Sequence, residues 1–303
     1  MNVGDYQPVP DTDDVYVHDA GLYGAQGYGA VYIIDADRPA LIDTGTGINR
    51  ESLVETLSEL GIDAEELAYI VPTHAHLDHA GGAGYLIDQY PSAEVVTPEP
   101  AVRHLVDPTR LVAGTKEAVG DQWRYYADPV AIPEGRIRGL ADGEVVDLGD
   151  RTLTTHWAHG HAPHHAFFHD SGADVVYTAD AAGIYIQSID EIRQSSPPPQ
   201  FDLQQARADA QQIADLDPEI LCFGHFGPRS FESGLMEEYS RTLVEWVAAV
   251  RGKRAELEDD AAVIAHFENA VDLENAWTPE RQAAESRLNT RGALAYLDTV
   301  EQE

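Results

Sequence analysis

The stretch PTHAHLDHAGGAG, residues 72–84, holds His74, His76, Asp78 and His79 within six positions, directly after the apolar run AYIV. In an extended segment, side chains two apart point the same way, so His74 and His76 converge on one point. Asp78 and His79 follow as the chain turns toward the helical pattern AGYLIDQY, and so face a second point nearby. Imidazole nitrogen and carboxylate oxygen both suit zinc, at roughly 2.0–2.2 Å. Such groups are costly to bury unless paired or metal-bound, which argues against simple core packing. Groups of the same chemistry recur downstream: His161 in AHGHAPHH, Asp180 ending VVYTADAAG and His225 ending ILCFGHFG. Each follows a β-type run, and strand ends are where loops gather side chains from distant sequence.

Outward from the cluster, the chain reads as two strand-rich stretches separated by helices. DVYVHD, AVYIID and ALIDTG are short β-type runs punctuated by glycine turns, and NRESLVETLSELG has helical spacing with a terminal glycine. LAYIVPTH and AEVVTPE are further strands, and residues 100–130 look helical and irregular, with Trp123, Tyr125 and Tyr126 grouped. EVVDLG, TLTTHWAHG, HAFFHD and DVVYTAD make the second strand set. SSPPPQ at 195–200 reads as a loop, because proline denies the backbone its donor. The helix DLQQARADAQQIADL then leads into the strand EILCFGH. From about 230 the pattern is helical throughout. Two sheets packed face to face with helices outside are expected over 1–230, and a helical extension over 231–303. That extension either packs on its own chain or forms a homodimer contact.

Composition bounds the function. With 303 residues and 43% hydrophobic content the chain can bury a sizeable core. The expected setting is cytoplasmic: the first residues, MNVGDYQPVPDTDD, lack the basic and apolar segments of a signal peptide, and no run approaches a bilayer span. The lone cysteine, Cys222, rules out an intramolecular disulfide and is expected to be a buried, inert thiol. Against 53 acidic residues stand only 19 basic ones, a formal charge of −34. That self-repulsion is tolerable in brine, where the Debye length shrinks to about 3 Å at 1 M salt, and the pattern resembles proteins of salt-in halophiles. It also makes a nucleic-acid partner unexpected; a small-molecule substrate fits better.

The set HAHLDH, a later single histidine, a strand-end aspartate and a last histidine resembles the metallo-β-lactamase-fold hydrolases in motif and order, over roughly residues 10–230. The resemblance implies a four-layer αβ/βα sandwich of two mixed sheets, with the metal site at one edge. It implies two divalent cations, zinc first and iron or manganese as alternatives. His74, His76 and His161 would bind one, Asp78, His79 and His225 the other, with Asp180 bridging. A bridging hydroxide would attack an ester, thioester or lactone carbonyl, in the broad manner of glyoxalase II-like enzymes. Asp78 and Asp180 would then be catalytic, Asp78 holding or relaying a proton.

Around that set, His164, His165, His156 and His159 are either groups that orient ligands or ordinary strand-end residues. His18, His104, His169 and His266 have no neighbouring ligand set, so surface or satisfied-core roles are expected. Asp43 in LIDTGTG, where the family often has an aspartate, holds a ligand histidine or merely shapes the turn. Trp123, Tyr125 and Tyr126 line a substrate pocket or pack in the core. Arg229 and Tyr185 are the substrate candidates: Arg229 stands close to His225, within reach of a substrate carboxylate, and Tyr185 lies five residues after Asp180. Superfamily lactonases carry a tyrosine three residues after that aspartate, where this chain has Gly183. FGPRSF offers only Arg229 where glutathione-binding relatives have several groups. Two other readings stay open. One is a mononuclear iron persulfide dioxygenase using His74, His161 and Asp180; the other is a phosphodiesterase or nuclease of the same fold.

Overall fold

Every second residue of the strand Ala30–Ile34 belongs to a different core, and that alternation organises the sheet around it. In the computed structural model, which describes residues 1–269 and 277–302, Ala30, Tyr32 and Ile34 join one apolar cluster while Val31 and Ile33 join another. The strands in chain order are β1 (Tyr6–Pro8), β2 (Val15–Asp19), β3 (Ala30–Ile34), β4 (Ala40–Ile42), β5 (Tyr69–Val71), β6 (Glu94–Pro98) and β7 (Ile137–Leu140). They form one mixed sheet in sequence order, antiparallel from β1 to β4 and parallel from β4 to β7. Next come β8 (Val145–Asp147), β9 (Thr152–Trp157), β10 (Ala166–Asp170), β11 (Val175–Ala179), β12 (Ile184–Ile186), β13 (Glu191–Arg193), β14 (Ile220–Phe223) and β15 (Gly227–Ser230). The second mixed sheet runs β15-β14-β11-β10-β9-β8, while β12 and β13 form a separate hairpin.

The chain divides into two compact units. The first comprises 1–157, 164–179 and 218–231, and contains both large sheets. Its inter-sheet core takes Tyr32, Ile42, Val71 and Val96 from one side and Leu153, Phe168, Tyr177 and Ile220 from the other. Burying each such side chain contributes roughly 1.5–3 kcal/mol. Tyr32 crosses this core and donates its hydroxyl to the Phe223 carbonyl at 2.7 Å, anchoring the end of β14. Cys222 is buried there as a free thiol, its ionisation suppressed by desolvation, as expected from the sequence. The other face of the first sheet is covered by α1 (Arg50–Glu59), α2 (Leu77–Ala80), α3 (Ala83–Gln89) and α4 (Glu99–Val106), through Leu53, Leu57, Leu86, Ile87 and Leu105. Thr109–Val119 forms α5, followed by short 3-10 turns. His18 is a satisfied core histidine: it is buried, bonded to Thr56 Oγ1 at 3.0 Å, and desolvation pulls its pKa down to about 4.

The second unit comprises 158–163, 180–217 and 232–303. Among the described residues it carries the β12–β13 hairpin and the helices α6 (Leu203–Leu216), α7 (Leu235–Leu257), α8 (Asp260–Glu268) and α9 (Pro279–Val300). Three of them start on side-chain caps, Asp202, Asp259 and Thr278, each accepting a backbone N–H. On α7, Leu235, Tyr239, Leu243, Val247 and Val250 recur at helical spacing and are buried. The helical residues from about 232 onward fall in this unit. The unit also includes residues well upstream of that point. Of the extension, 270–276 and 303 lie outside the described residues. Among the described residues no helix is long and apolar enough to cross a membrane.

The strands that the sequence pattern did not reveal are β1, β7, β12, β13 and β15. All are three or four residues long, and β15, GPRS, contains a proline that only an edge strand tolerates.

Candidate metal centre

The first unit gathers its candidate ligands where β5 and β14 end. After Val71 the chain leaves the sheet, and His76 caps α2 in an extended conformation (φ −60°, ψ 141°), so Asp78 and His79 lie in the first helical turn. The His74 and His76 rings are 4.6 Å apart, and His74 and His79 4.3 Å. Beyond β14, His225 brings its ring 5.2 Å from that of His79. Ligand atoms of Asp78, His79 and His225 all lie within 4.8 Å of one another, a spacing one cation can span. Gly224 is required here, because a Cβ at that position would lie 2.7 Å from His79 Cε1.

Hydrogen bonds fix how these imidazoles present themselves. His79 Nδ1 is 2.7 Å from Asp43 Oδ2, and His225 Nδ1 is 3.0 Å from the Tyr28 carbonyl. Both partners only accept, so Nδ1 carries the proton and Nε2 keeps its lone pair for a metal. At His74 the partner is the Thr73 hydroxyl, 3.1 Å from Nδ1. That hydroxyl's single proton goes to Asp43 Oδ1 at 2.9 Å, so it accepts from His74. Asp43 also takes the Thr73 backbone N–H at 2.8 Å. It sits at φ 62°, a left-handed conformation that aspartate tolerates better than most residues. The two readings of Asp43 are therefore both correct: it shapes the turn and it holds a histidine.

The second unit supplies the same construction. Ser195 Oγ lies 3.1 Å from His161 Nδ1 and donates to Asp180 Oδ1 at 3.2 Å. His161 Nε2 and Asp180 Oδ2 are 3.6 Å apart. Two ligands at about 2.1 Å in tetrahedral array stand about 3.4 Å apart, so this pair suits one cation. His161, Asp180 and Ser195 are all buried. Upstream, the Gly160 N–H is held by Asp209 of α6 at 2.7 Å. Burial pushes the Asp209 carboxyl up to about 6.

The remaining candidates divide. His164 and His165 crowd His74: their rings lie 6.1 and 4.7 Å from it, and the Ala75 N–H donates to His164 Nδ1 at 3.3 Å. Desolvation, reinforced by His76, draws His164 down to about 2. His104, expected to stand apart, reaches His164 with ring centroids 5.2 Å apart. His156 stacks on Phe167 instead. Tyr126 is buried, bonded to the Tyr23 hydroxyl at 2.6 Å and stacked on Trp123. Tyr23 also meets Tyr125 and Tyr28, and Tyr28 meets His225 and Phe226 at 5.0 and 4.9 Å. An aromatic wall thus runs from the 120s to His225. Phe226 stands in it at φ 67°, a strained backbone for a bulky residue. Arg229 lies half-buried on β15, and Tyr185 is buried with its hydroxyl 3.1 Å from Asp190 in the same hairpin.

Comparisons with known proteins bear on the family and the fold. A family model described as the Metallo-beta-lactamase superfamily matches residues 24–225. The metallo-beta-lactamase fold-containing protein ST1585 of Sulfurisphaera tokodaii is 24% identical over 200 residues, 64% of this chain and 74% of its own. Its solved structure superposes with a TM-score of 0.71 at 21% identity, covering 93% of this chain and 99% of that one. That likeness establishes an α/β fold with two large mixed sheets, helices and a C-terminal helical part. The N-acyl homoserine lactonase AttM of Agrobacterium fabrum is 27% identical over 123 residues, 39% of this chain and 41% of its own. The human acyl-coenzyme A thioesterase MBLAC2 is 28% identical over 167 residues, 48% of this chain and 54% of its own. The chain therefore spans only about half the length of these two enzymes.

Proposed function

Because the chain belongs to the metallo-β-lactamase superfamily, we propose that it is a dinuclear metal-dependent hydrolase acting on an ester, thioester or lactone carbonyl. On this reading His74, His76 and His161 would hold one cation, Asp78, His79 and His225 would hold the other, and Asp180 would be shared. When bound, the two cations supply a nucleophilic hydroxide at neutral pH and polarise the carbonyl oxygen. Zinc suits the histidine-rich donor set, and iron or manganese are the alternatives.

The observation that carries this reading is the orientation of the imidazoles. In His74, His79, His161 and His225 a hydrogen bond at Nδ1 directs the Nε2 lone pair outward. Histidines kept for packing have no need of four such devices, whereas ligating histidines are commonly held this way. Asp78, half-buried with Oδ2 3.9 Å from His79 Nε2, is proposed to hold or pass a proton. The aromatic wall beside His225 gives an apolar acyl or leaving group a surface to lie on. Arg229 and Tyr185 are proposed to touch the polar end of the substrate. Relatives named as a lactonase and a thioesterase support carbonyl chemistry, and thioesters other than those of glutathione are favoured by the sparse basic groups after His225.

Metal content of the purified protein, followed by a screen of acyl thioesters and lactones, tests the reading. About two transition-metal ions per chain and turnover abolished by chelation are expected. Full turnover after metal stripping would overturn it. We further propose that the charge of −34 is an adaptation to a salt-rich solvent. The melting temperature should rise steeply as potassium chloride goes from about 0.1 to about 3 M, as screening relieves the self-repulsion; a flat curve would discard the idea.

A further inference from the structure

Residues 195 and 196 lie in a stretch whose composition signals only a loop, yet both serines are buried and their hydroxyls make specific hydrogen bonds. Ser195 Oγ joins His161 Nδ1 to Asp180 Oδ1. A hydroxyl has one proton and two lone pairs, so it can accept from the imidazole and donate to the carboxylate at once. One side chain thereby sets the tautomer of His161 and engages Oδ1 of Asp180, leaving Oδ2 as the oxygen beside His161 Nε2.

What holds Ser195 comes from the C-terminal helices. Its backbone N–H meets the hydroxyl of Tyr239 on α7, which burial keeps protonated. The next residue, Ser196, is fully buried; its N–H donates to Asn289 Oδ1 on α9 at 2.6 Å and its hydroxyl reaches the same oxygen at 3.0 Å. Trp246 Nε1 of α7 donates to Ser196 Oγ at 3.1 Å. Asn289 is 2% exposed, and its Nδ2 donates to Glu285 Oε1 at 2.9 Å, with Arg281 bonded to that same carboxylate. Arg281, Glu285 and Asn289 are four apart, so a buried polar stripe runs down one face of α9 and ends on Ser196. At Gly292 a Cβ would lie 1.9 Å from the Ser196 carbonyl oxygen, so the α9 backbone itself abuts this segment.

We infer that Ser195 is a positioning residue for both His161 and Asp180, and that α7 and α9 fix it in place through Ser196, Asn289 and Trp246. The inference rests on the reading of His161 and Asp180 as metal ligands. On this account the C-terminal helices hold the loop that aims the second unit's ligand pair. A polar stripe buried along α9 is costly unless fully bonded, and this one ends on the segment that orients the two ligands.

The test compares the wild-type chain with Ser195→Ala, Ser195→Thr and Asn289→Ala. Each is stripped and titrated with zinc against a competing chelator, and with cobalt to read the ligand field. Ser195→Ala should weaken zinc binding by about 10–100-fold and change the cobalt spectrum. Ser195→Thr, which keeps the hydroxyl, should recover most of both. Asn289→Ala should weaken binding by about tenfold, although all seven ligands and Ser195 remain. Zinc affinity within about twofold of wild type in Ser195→Ala, or Ser195→Thr as weak as Ser195→Ala, would overturn the inference. If Ser195→Ala fails to fold, the outcome for Asn289→Ala decides in the same way. A wild-type chain that takes up no metal at all would instead defeat the underlying hydrolase reading.

Discussion

His74→Ala should lower turnover of any substrate of this protein by at least about 10³-fold, because losing a cation that polarises the carbonyl forfeits several kcal/mol of transition-state stabilisation. His74 is fully buried, its Nδ1 is held by Thr73, and the rings of His76, His79 and His165 lie within 4.7 Å of it. Metal content, measured on the same sample, should fall with the rate. A variant retaining both metals and a wild-type rate would show that His74 is a packing residue among histidines, and the proposed centre would have to be abandoned. Adding back zinc in excess should not rescue the variant, whereas it should rescue stripped wild-type protein.

Asp43→Asn should be nearly as damaging to metal binding while leaving the fold intact. The carboxylate accepts from His79 Nδ1 and from both the N–H and hydroxyl of Thr73, all buried. Asparagine has the same shape and tolerates the φ of 62° at this position. Its amide, however, has one acceptor oxygen and one donor nitrogen. With the oxygen kept on Thr73, the amide N–H₂ faces His79 Nδ1 and forces the proton onto Nε2, the atom needed for the metal. Zinc affinity should drop about 10–100-fold with little change in melting temperature. Asp43→Ala should add a stability loss of about 3 kcal/mol, since three buried donors lose their acceptor at a strained backbone position. Equal zinc affinity in Asp43→Asn and wild type would separate Asp43 from the ligand set.

Much of the proposed site was legible in the linear sequence. HAHLDH is local, and its four ligand-type residues need only one turn of chain to come together. His161, Asp180 and His225 stood out as candidates because each closely follows a recognisable β-type run. The two-sheet architecture was legible from the β-type runs, but which core each residue joins was not: β3, AVYII, is apolar throughout, and only the structure divides Ala30, Tyr32 and Ile34 from Val31 and Ile33. Length alone did not hide the missed strands, since β4, β5, β8 and β14 are equally short; β1, β7, β13 and β15 (YQP, IRGL, EIR and GPRS) are too polar or too broken by glycine and proline to form an apolar run.

What the sequence determined by itself was the chemistry on offer: side chains of metal-binding type, β-type and helical runs in a given order, and a charge of −34. What tertiary structure alone decided was the support for those groups. Asp43 meets His79 across 36 residues of chain, and Asn289 meets Ser196 across 93. Hydrogen bonds between such distant positions leave no periodic trace. Their geometry is set by how strands and helices pack, and a serine in SSPPPQ looks the same whether it faces water or the His161–Asp180 pair.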